Sequence, residues 1–277
     1  MLNNKVKASL TPRADSISTV SPCVWYSMHE GAGQYVADKL GNGGDMQLAA
    51  YGTGTPWANA GWLTPDGTNH YLNRSSADTY LNALFAFNGS WAQKLFLIAF
   101  YHDGSTTLTE AFFSAGNVNG TDGGFAITLN GSMQVEVVNR GYGSSALGVT
   151  SFDAAAITAL SSQRIGIVIE LLNNGDNTLD ANLYYSGALK RTKSSLSMIP
   201  NSGTAPWGAV NSAGTRIGAR AIGASSQDWL LNRGGSNGRI YDFIAMSRTT
   251  EDTSLALAVA EEFHNYPMEF PNSLKAA

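Results

Sequence analysis

The chain predicts an all-β fold, a two-sheet antiparallel jelly-roll sandwich with a short C-terminal helix, and three observations predict it. Apolar and polar residues alternate with period two along much of its length, turn-forming clusters punctuate the alternating runs, and a segment near the start is answered by one near the end. The opening segment is Val24 to Asp38, VWYSMHEGAGQYVAD, followed by LGNGG; the closing one is Gly238 to Ser247, GRIYDFIAMS.

Between them the elements follow in order. Lys94 to His102, KLFLIAFYH, and Gln163 to Leu172, QRIGIVIELL, are nearly continuous apolar runs and predict central strands covered on both faces. Phe125 to Leu129, then Asn130-Gly131, then Met133, Val135 and Val137 alternating with Gln134 and Glu136, predict a hairpin closed by a type I′ turn. Leu179 to Tyr185, with Ala181, Leu183 and Tyr185 on one face, follows the Asn173-Asn174-Gly175-Asp176 turn and predicts a second hairpin. At the far end Thr249 or Thr250 caps a helix expected from Glu251 or Asp252, with Leu255, Val259 and Phe263 on one stripe and Pro267 ending it.

The 277 residues suit one large sandwich. Hydrophobic residues make up 43%, enough for a sizeable core, whereas charged residues are only 14%, well below the roughly 25% of ordinary soluble domains. The surface must therefore rely on Ser, Thr, Asn and Gly. A net charge of −4 with no basic run argues against a nucleic-acid partner and against an anionic membrane. Cys23 is the single cysteine, so no internal disulfide is expected. The first 23 residues contain no apolar stretch of secretory length, and no window reaches the roughly 18 apolar residues of a membrane span. Without a secretory route, the Asn-x-Ser/Thr sites at Asn73, Asn88, Asn119 and Asn130 read as turn chemistry.

Trp25, Glu30, Gly31, Gly33 and Asp38 resemble the opening of the laminin-G-like, concanavalin A-type lectin/glucanase jelly roll, and GRIYDF resembles that family's last strand. Ala60 to Leu72, AGWLTPDGTNHYL, Asn182 to Leu189, NLYYSGAL, and Arg216 to Ala219, RIGA, are similar to its middle motifs, in the right order. The resemblance spans roughly residues 23–265, leaving 1–22 as a tail or extended arm and 266–277 as a tail. One departure is Ser161-Ser162-Gln163, where family members often carry Trp.

Catalytic constellations are not expected. Gly234 to Gly238, GGSNG, matches G-x-S-x-G with Ser236, but it sits in a loop leading into a strand, whereas a nucleophile elbow needs strand, turn and helix. His29, His70, His102 and His264 form no pair at helical spacing. Glucanases on this sandwich alternate carboxylates along one strand, about 5 Å apart across the bond; Glu170 with Asp176 and Asp180 is the nearest approach, and a turn separates them. The resemblance implies a calcium ion at the sandwich edge, with Glu30, Asp38 and Asp242 at positions like its ligands; the alternative is that Glu30 and Asp38 cap turns. A sugar needs an aromatic platform beside polar loop residues. Trp57, Trp207 and Trp229, the last flanked by Asp228, Asn232 and Arg233, are the candidates for ligand or interface contacts, although a loop Trp more often plugs a sandwich corner.

Two functions from different classes follow. The first is a non-catalytic virion structural protein, a bacteriophage capsid decoration or appendage subunit at the particle surface, homo-oligomeric and attached through Leu10, Ile17 and Val20 of the arm. The second is a carbohydrate-binding adhesin or lectin module with a cell-surface glycan as partner; a glycoside hydrolase is the more remote alternative.

Overall fold

The computed structural model describes residues 23–28, 33–49, 56–57, 62–74, 78–88, 90–104, 108–117, 123–140, 148–152, 164–198, 214–221, 227–228, 230–233 and 237–265. The expected arm at 1–22 and the tail at 266–277 lie outside them. Two antiparallel sheets form a sandwich. The six-stranded sheet runs β1 (Cys23–Ser27), β16 (Arg239–Arg248), β5 (Gln93–Tyr101), β10 (Arg164–Asn173), β11 (Thr178–Tyr185) and β12 (Ala188–Ser197). The eight-stranded sheet runs β2 (Tyr35–Val36), β3 (Met46–Leu48), β4 (Leu72–Arg74), β13 (Thr215–Ile217), β6 (Glu110–Asn117), β7 (Gly123–Leu129), β8 (Val135–Arg140) and β9 (Gly148–Ser151). A small ribbon pairs β14 (Arg220–Ala221) with β15 (Gln227–Asp228). The opening and closing segments do meet: β1 and β16 are neighbours, Trp25 opposite Ile244.

Alternation decides which side chains fill the space between the sheets. Phe96, Ile98 and Phe100 of β5, Ile165, Ile167, Ile169 and Leu171 of β10, and Leu179, Ala181, Leu183 and Tyr185 of β11 point inward. They meet Phe112, Phe113, Phe125 and Ile127 from the opposite sheet. Offset and tilted ring pairs run through this core, Phe113–Phe243 at 4.7 Å and Phe100–Phe112 at 4.5 Å among them, a geometry that adds to area burial.

The outer face at the centre of the six-stranded sheet is also dry, as the apolar runs of β5 and β10 predict. Helix α2 (Leu255–Asn265) lays Leu255, Ala256, Val259, Ala260 and Phe263 across Trp25, Leu95, Leu97, Ala99, Val168, Ile244 and Met246. Burying Leu255, Val259 and Phe263 is worth about 1.5–3 kcal/mol each. Phe263 lies directly on Gly166, where an added Cβ would come 2.1 Å from the ring; glycine inside a strand here marks a close approach. The helix starts at Leu255, three or four residues later than expected. Asp252 folds the preceding turn instead: its carboxylate accepts from Ser254 N–H at 3.1 Å and Oγ–H at 2.8 Å, and its backbone N–H and C=O are held by Gln93 at 3.1 and 2.9 Å.

Two local expectations need correction. The β7–β8 connection is not a two-residue type I′ turn. Asn130 N–H bonds the Gln134 carbonyl at 2.9 Å, and the Asn130 side-chain oxygen accepts from Ser132 and Gln134 N–H. The loop is thereby one residue longer, and Met133 rather than Gly131 takes the positive φ of 60°. A second helix, α1 (Thr79–Phe85), was not expected; Asp78 caps it by accepting from Leu81 N–H at 2.9 Å.

Lys94 is buried at the carboxyl end of α1. Its ammonium donates to the Leu84 carbonyl at 2.7 Å and to Ser247 Oγ at 3.0 Å, and lies 5.6 and 5.3 Å from the Phe87 and Trp91 ring centres. Those contacts favour the charged form, yet burial outweighs them and pushes the amine down to about 7. At the other border, β12 is exposed along most of its length, with Lys190, Arg191 and Lys193 on it, two register shifts in its pairing with β11, and Ser195 at a φ of 56°.

Replacing Gly166 with Ala should lift Phe263 off the sheet and cost about 1–3 kcal/mol in urea denaturation; an unchanged midpoint would mean that the helix is not seated on that glycine. The Lys94 amine sheds its proton near 7 when folded but near 10.5 when unfolded. The unfolded chain therefore binds more protons between those values, and stability rises with pH across that window by up to about 1.4 kcal/mol per unit. Stability of the wild type minus that of Lys94→Met, measured at pH 6, 8 and 9.5, should climb accordingly; a flat difference would contradict the burial of this charge.

Candidate ligand-binding surface

Cross-strand register arranges the outer face of the six-stranded sheet in rows. Arg164, Tyr101 and Arg239 form one row at the sheet end; Gly166, Ala99 and Asp242 form the next; Val168, Leu97, Ile244 and Trp25 the third. Helix α2 covers the second row inward, so the Arg164–Tyr101–Arg239 row is left only partly buried. A bulge in β16 between Ile240 and Asp242 adds to it. Ile240 and Phe243 both face the core, which sends Tyr241 and Asp242 together to the outer face. Where β1 no longer flanks β16, Leu63 takes its place, exchanging both backbone hydrogen bonds with Ile240 at 2.9 Å. Leu63 is buried and Trp62 is set beside Tyr241 on the outside.

The result is a continuous series of rings and guanidinium groups. The Arg239 guanidinium lies 4.9 Å from the Tyr101 ring centre and 5.1 Å from that of Trp62. Trp62 meets Tyr241 edge-on at 5.9 Å. Arg164 reaches across the small Ala99 to lie 4.5 Å from Tyr241 and 5.8 Å from Phe263, and its tip pairs with Asp242 at 3.3 Å. Asp242, wholly buried, also accepts from the Trp25 indole N–H at 3.2 Å. Burial lowers the basicity of Arg164 and Asp242 counters it. Trp62, Tyr101, Arg239 and Tyr241 are all partly exposed, so an aromatic shelf flanked by cations faces solvent.

Of the site residues expected from sequence, the described ones are placed as follows. Asp38 is buried and spends its oxygens on backbone N–H groups: Trp25 at 2.8 Å and Leu40 at 3.2 Å on one, Asn42 at 2.8 Å and Gly43 at 2.7 Å on the other. That is turn-capping geometry. Asp242 is engaged with Trp25 and Arg164, and Glu30 lies outside the described residues. Among the described residues no group of three or more His, Cys, Asp and Glu is arranged to hold a metal. Trp57 packs against the core and donates to the Gly33 carbonyl at 2.9 Å, the corner-plug arrangement. Asn232, at a φ of 73°, donates to the Pro65 and Gly238 carbonyls and so ties two loops together; Arg233 beside it is exposed. Trp207, Trp229, Ser236 and the side chain of Asp228 lie outside the described residues.

The carboxylates weighed for hydrolysis do not converge. Glu170 is buried and accepts from Gln93 at 2.6 Å, Asn182 at 2.9 Å and the Tyr184 hydroxyl at 2.7 Å. Burial and the Glu170 carboxylate push the Tyr184 hydroxyl well above the usual phenol range. Asp180 serves Asn174 and Ser195, Asp176 serves Thr178, and neither shares a partner with Glu170. His102 and Glu110 are both fully buried, 3.3 Å apart, with the other His102 nitrogen accepting from Gly104 N–H. Cys23 is free and buried, and burial, with Asp38 nearby, pushes its thiol up to about 12, so it is not a thiolate nucleophile.

Sequence reasoning missed the shelf although its residues were in view. Trp62 sits in AGWL and Arg239 and Tyr241 in GRIYDF; their i, i+2 spacing on one strand was the available signal.

No protein-family model matches the chain, and no curated protein matches it in sequence. Among solved structures it is similar to the botulinum neurotoxin serotype D binding domain, at 10% identity and a TM-score of 0.53, over 89% of this chain and 52% of that one. It is similar also to the receptor binding domain of botulinum neurotoxin mosaic serotype C/D, at 10% identity and a TM-score of 0.52, over 86% and 50%. A looser likeness, TM-score 0.42 at 15% identity over 62% and 84%, is to the Ruminococcus gnavus IT-sialidase CBM40 bound to alpha2,6 sialyllactose. The chain thus spans about half the length of the toxin domains it matches, and the two share its fold.

Changing Asp38 to Ala should orphan four backbone N–H groups and cost about 2–4 kcal/mol in chemical denaturation. With those oxygens already engaged, the melting temperature in chelator and in millimolar calcium is expected to agree; a rise with calcium would instead place an ion at the Asp38 loop.

Proposed function

We propose that the sandwich is a non-catalytic carbohydrate-binding module of lectin type. The observation that carries this reading is the partly exposed shelf of Trp62, Tyr101 and Tyr241 on a rigid sheet end, because a pyranose presents an apolar face that stacks on aromatic rings and a rim of hydroxyls that takes hydrogen bonds. The neutral polar composition, with charged residues at 14%, suits an exterior that recognises uncharged hydroxyls. A binding role is also in keeping with the receptor binding domain of the toxin, built on the same fold.

This reverses the order in which the sequence ranks the two functions. The virion reading leans on residues 1–22 as an attachment arm, and these lie outside the described residues; the glycan reading leans on side chains whose placement is described. Calcium through Glu30, Asp38 and Asp242 and self-association through the arm are not needed for it.

A glycan array with the wild-type protein should return at least one saccharide ligand. Trp62→Ala should weaken that ligand about 10-fold, equivalent to about 1.4 kcal/mol, with the far-ultraviolet circular dichroism spectrum unchanged. An empty array, or full affinity in the Trp62→Ala variant, would remove the shelf as the binding surface.

A further inference from the structure

Among the described residues one cation of the shelf, Arg239, has no acidic partner. Arg164 and Arg239 flank Tyr101 in the same row, but Arg164 is bonded to buried Asp242. Arg239 makes no ion pair with a described residue. Its contacts are the two rings that hold it, Tyr101 and Trp62. In a chain of net charge −4 this is a locally unmatched positive group, set into an aromatic surface. Contact with two rings restrains the guanidinium group, and a restrained planar fork of N–H donors loses little freedom when it takes a planar two-oxygen acceptor. Lys on the same strand would offer only a mobile point charge.

We propose that the shelf recognises saccharides carrying a carboxylate, with the sugar ring against Trp62 and the carboxylate received by Arg239. Arg164 is a positioning residue: by pairing with Asp242 while lying on Tyr241, it fixes the tyrosine ring beside Trp62 and keeps Asp242 from competing with the ligand for Arg239. This inference rests on the carbohydrate-binding reading above and narrows its ligand class.

The test is titration calorimetry with two sugar-acid geometries, oligogalacturonate and sialyllactose, each beside its counterpart with the carboxylate reduced to an alcohol, and with a sulfated oligosaccharide as a different anion. At least one acid should bind about 10-fold or more tightly than its reduced form, and added salt should weaken only the acid. Arg239→Gln should bring the acid-to-reduced ratio close to one, and Arg239→Lys should restore only part of it. The comparison of acid with reduced sugar uses the unaltered protein, so it holds even if a variant folds poorly. Equal binding of both forms would overturn the carboxylate assignment and leave the carbohydrate reading standing. A ratio that survives Arg239→Gln would place the carboxylate elsewhere and overturn the role of Arg239, and sulfate bound as tightly as carboxylate would overturn the preference for a planar acceptor. If no saccharide binds, acidic or neutral, the carbohydrate reading itself fails and this inference with it.

Discussion

Everything else in this sandwich depends on keeping the six-stranded sheet dry on both faces. The inner face is covered by the opposite sheet and the outer face by helix α2, whose Phe263 settles on the bare backbone of Gly166. A sheet buried twice cannot alternate polar with apolar, which is why β5 and β10 read as continuous apolar runs. Wholly buried polar side chains there are matched: Glu170 by Gln93, Asn182 and Tyr184, Asp242 by Trp25 and Arg164, Lys94 by Leu84 and Ser247. In such a medium an unmatched group would cost more than any of these bonds returns. The helix also sets where the shelf begins. It ends over the Gly166 row, so the next row outward keeps its rings and guanidinium groups at the surface.

Much of the fold was legible from side-chain pattern. The β10–β11 and β7–β8 hairpins follow from residues read in twos, the buried central strands from their unbroken apolar runs, and the meeting of the first and last strands from the opening and closing segments that answer each other. The misses have one physical origin, side chains bonding to backbone in ways that alternation does not encode. Asn130 lengthens its turn through its own amide oxygen, Asp252 postpones the helix by folding the residues before it, and Asp78 starts a helix in a stretch without a long periodic pattern. The candidate site was less legible for a related reason. Strict alternation along GRIYDF would turn Asp242 inward, and only the bulge after Ile240 brings it outside with Tyr241. Nor does anything near Trp62 in sequence announce Tyr101 and Arg239 as its neighbours; pairing across strands puts them there.

The shelf is also built on parts that cannot shift independently. Tyr101 and Arg239 project from paired central strands, Trp62 is held by the reciprocal Leu63–Ile240 hydrogen bonds, and Tyr241 is pinned under Arg164. Surfaces mounted on strands hold their geometry more closely than surfaces mounted on loops. A ligand taken there would meet correspondingly small ordering costs, since rotamer freedom has largely been lost on folding.

At the opposite border β12 ends the sheet in a different manner. An outermost strand is a template onto which an identical molecule can stack, and repeated stacking makes a fibre. Here Lys190, Arg191 and Lys193 would face their own copies across such a seam, and the two register shifts together with the twisted backbone at Ser195 put successive donors and acceptors out of step. Growth in that direction meets both repulsion and misfit, so the width of the sheet is finite by construction.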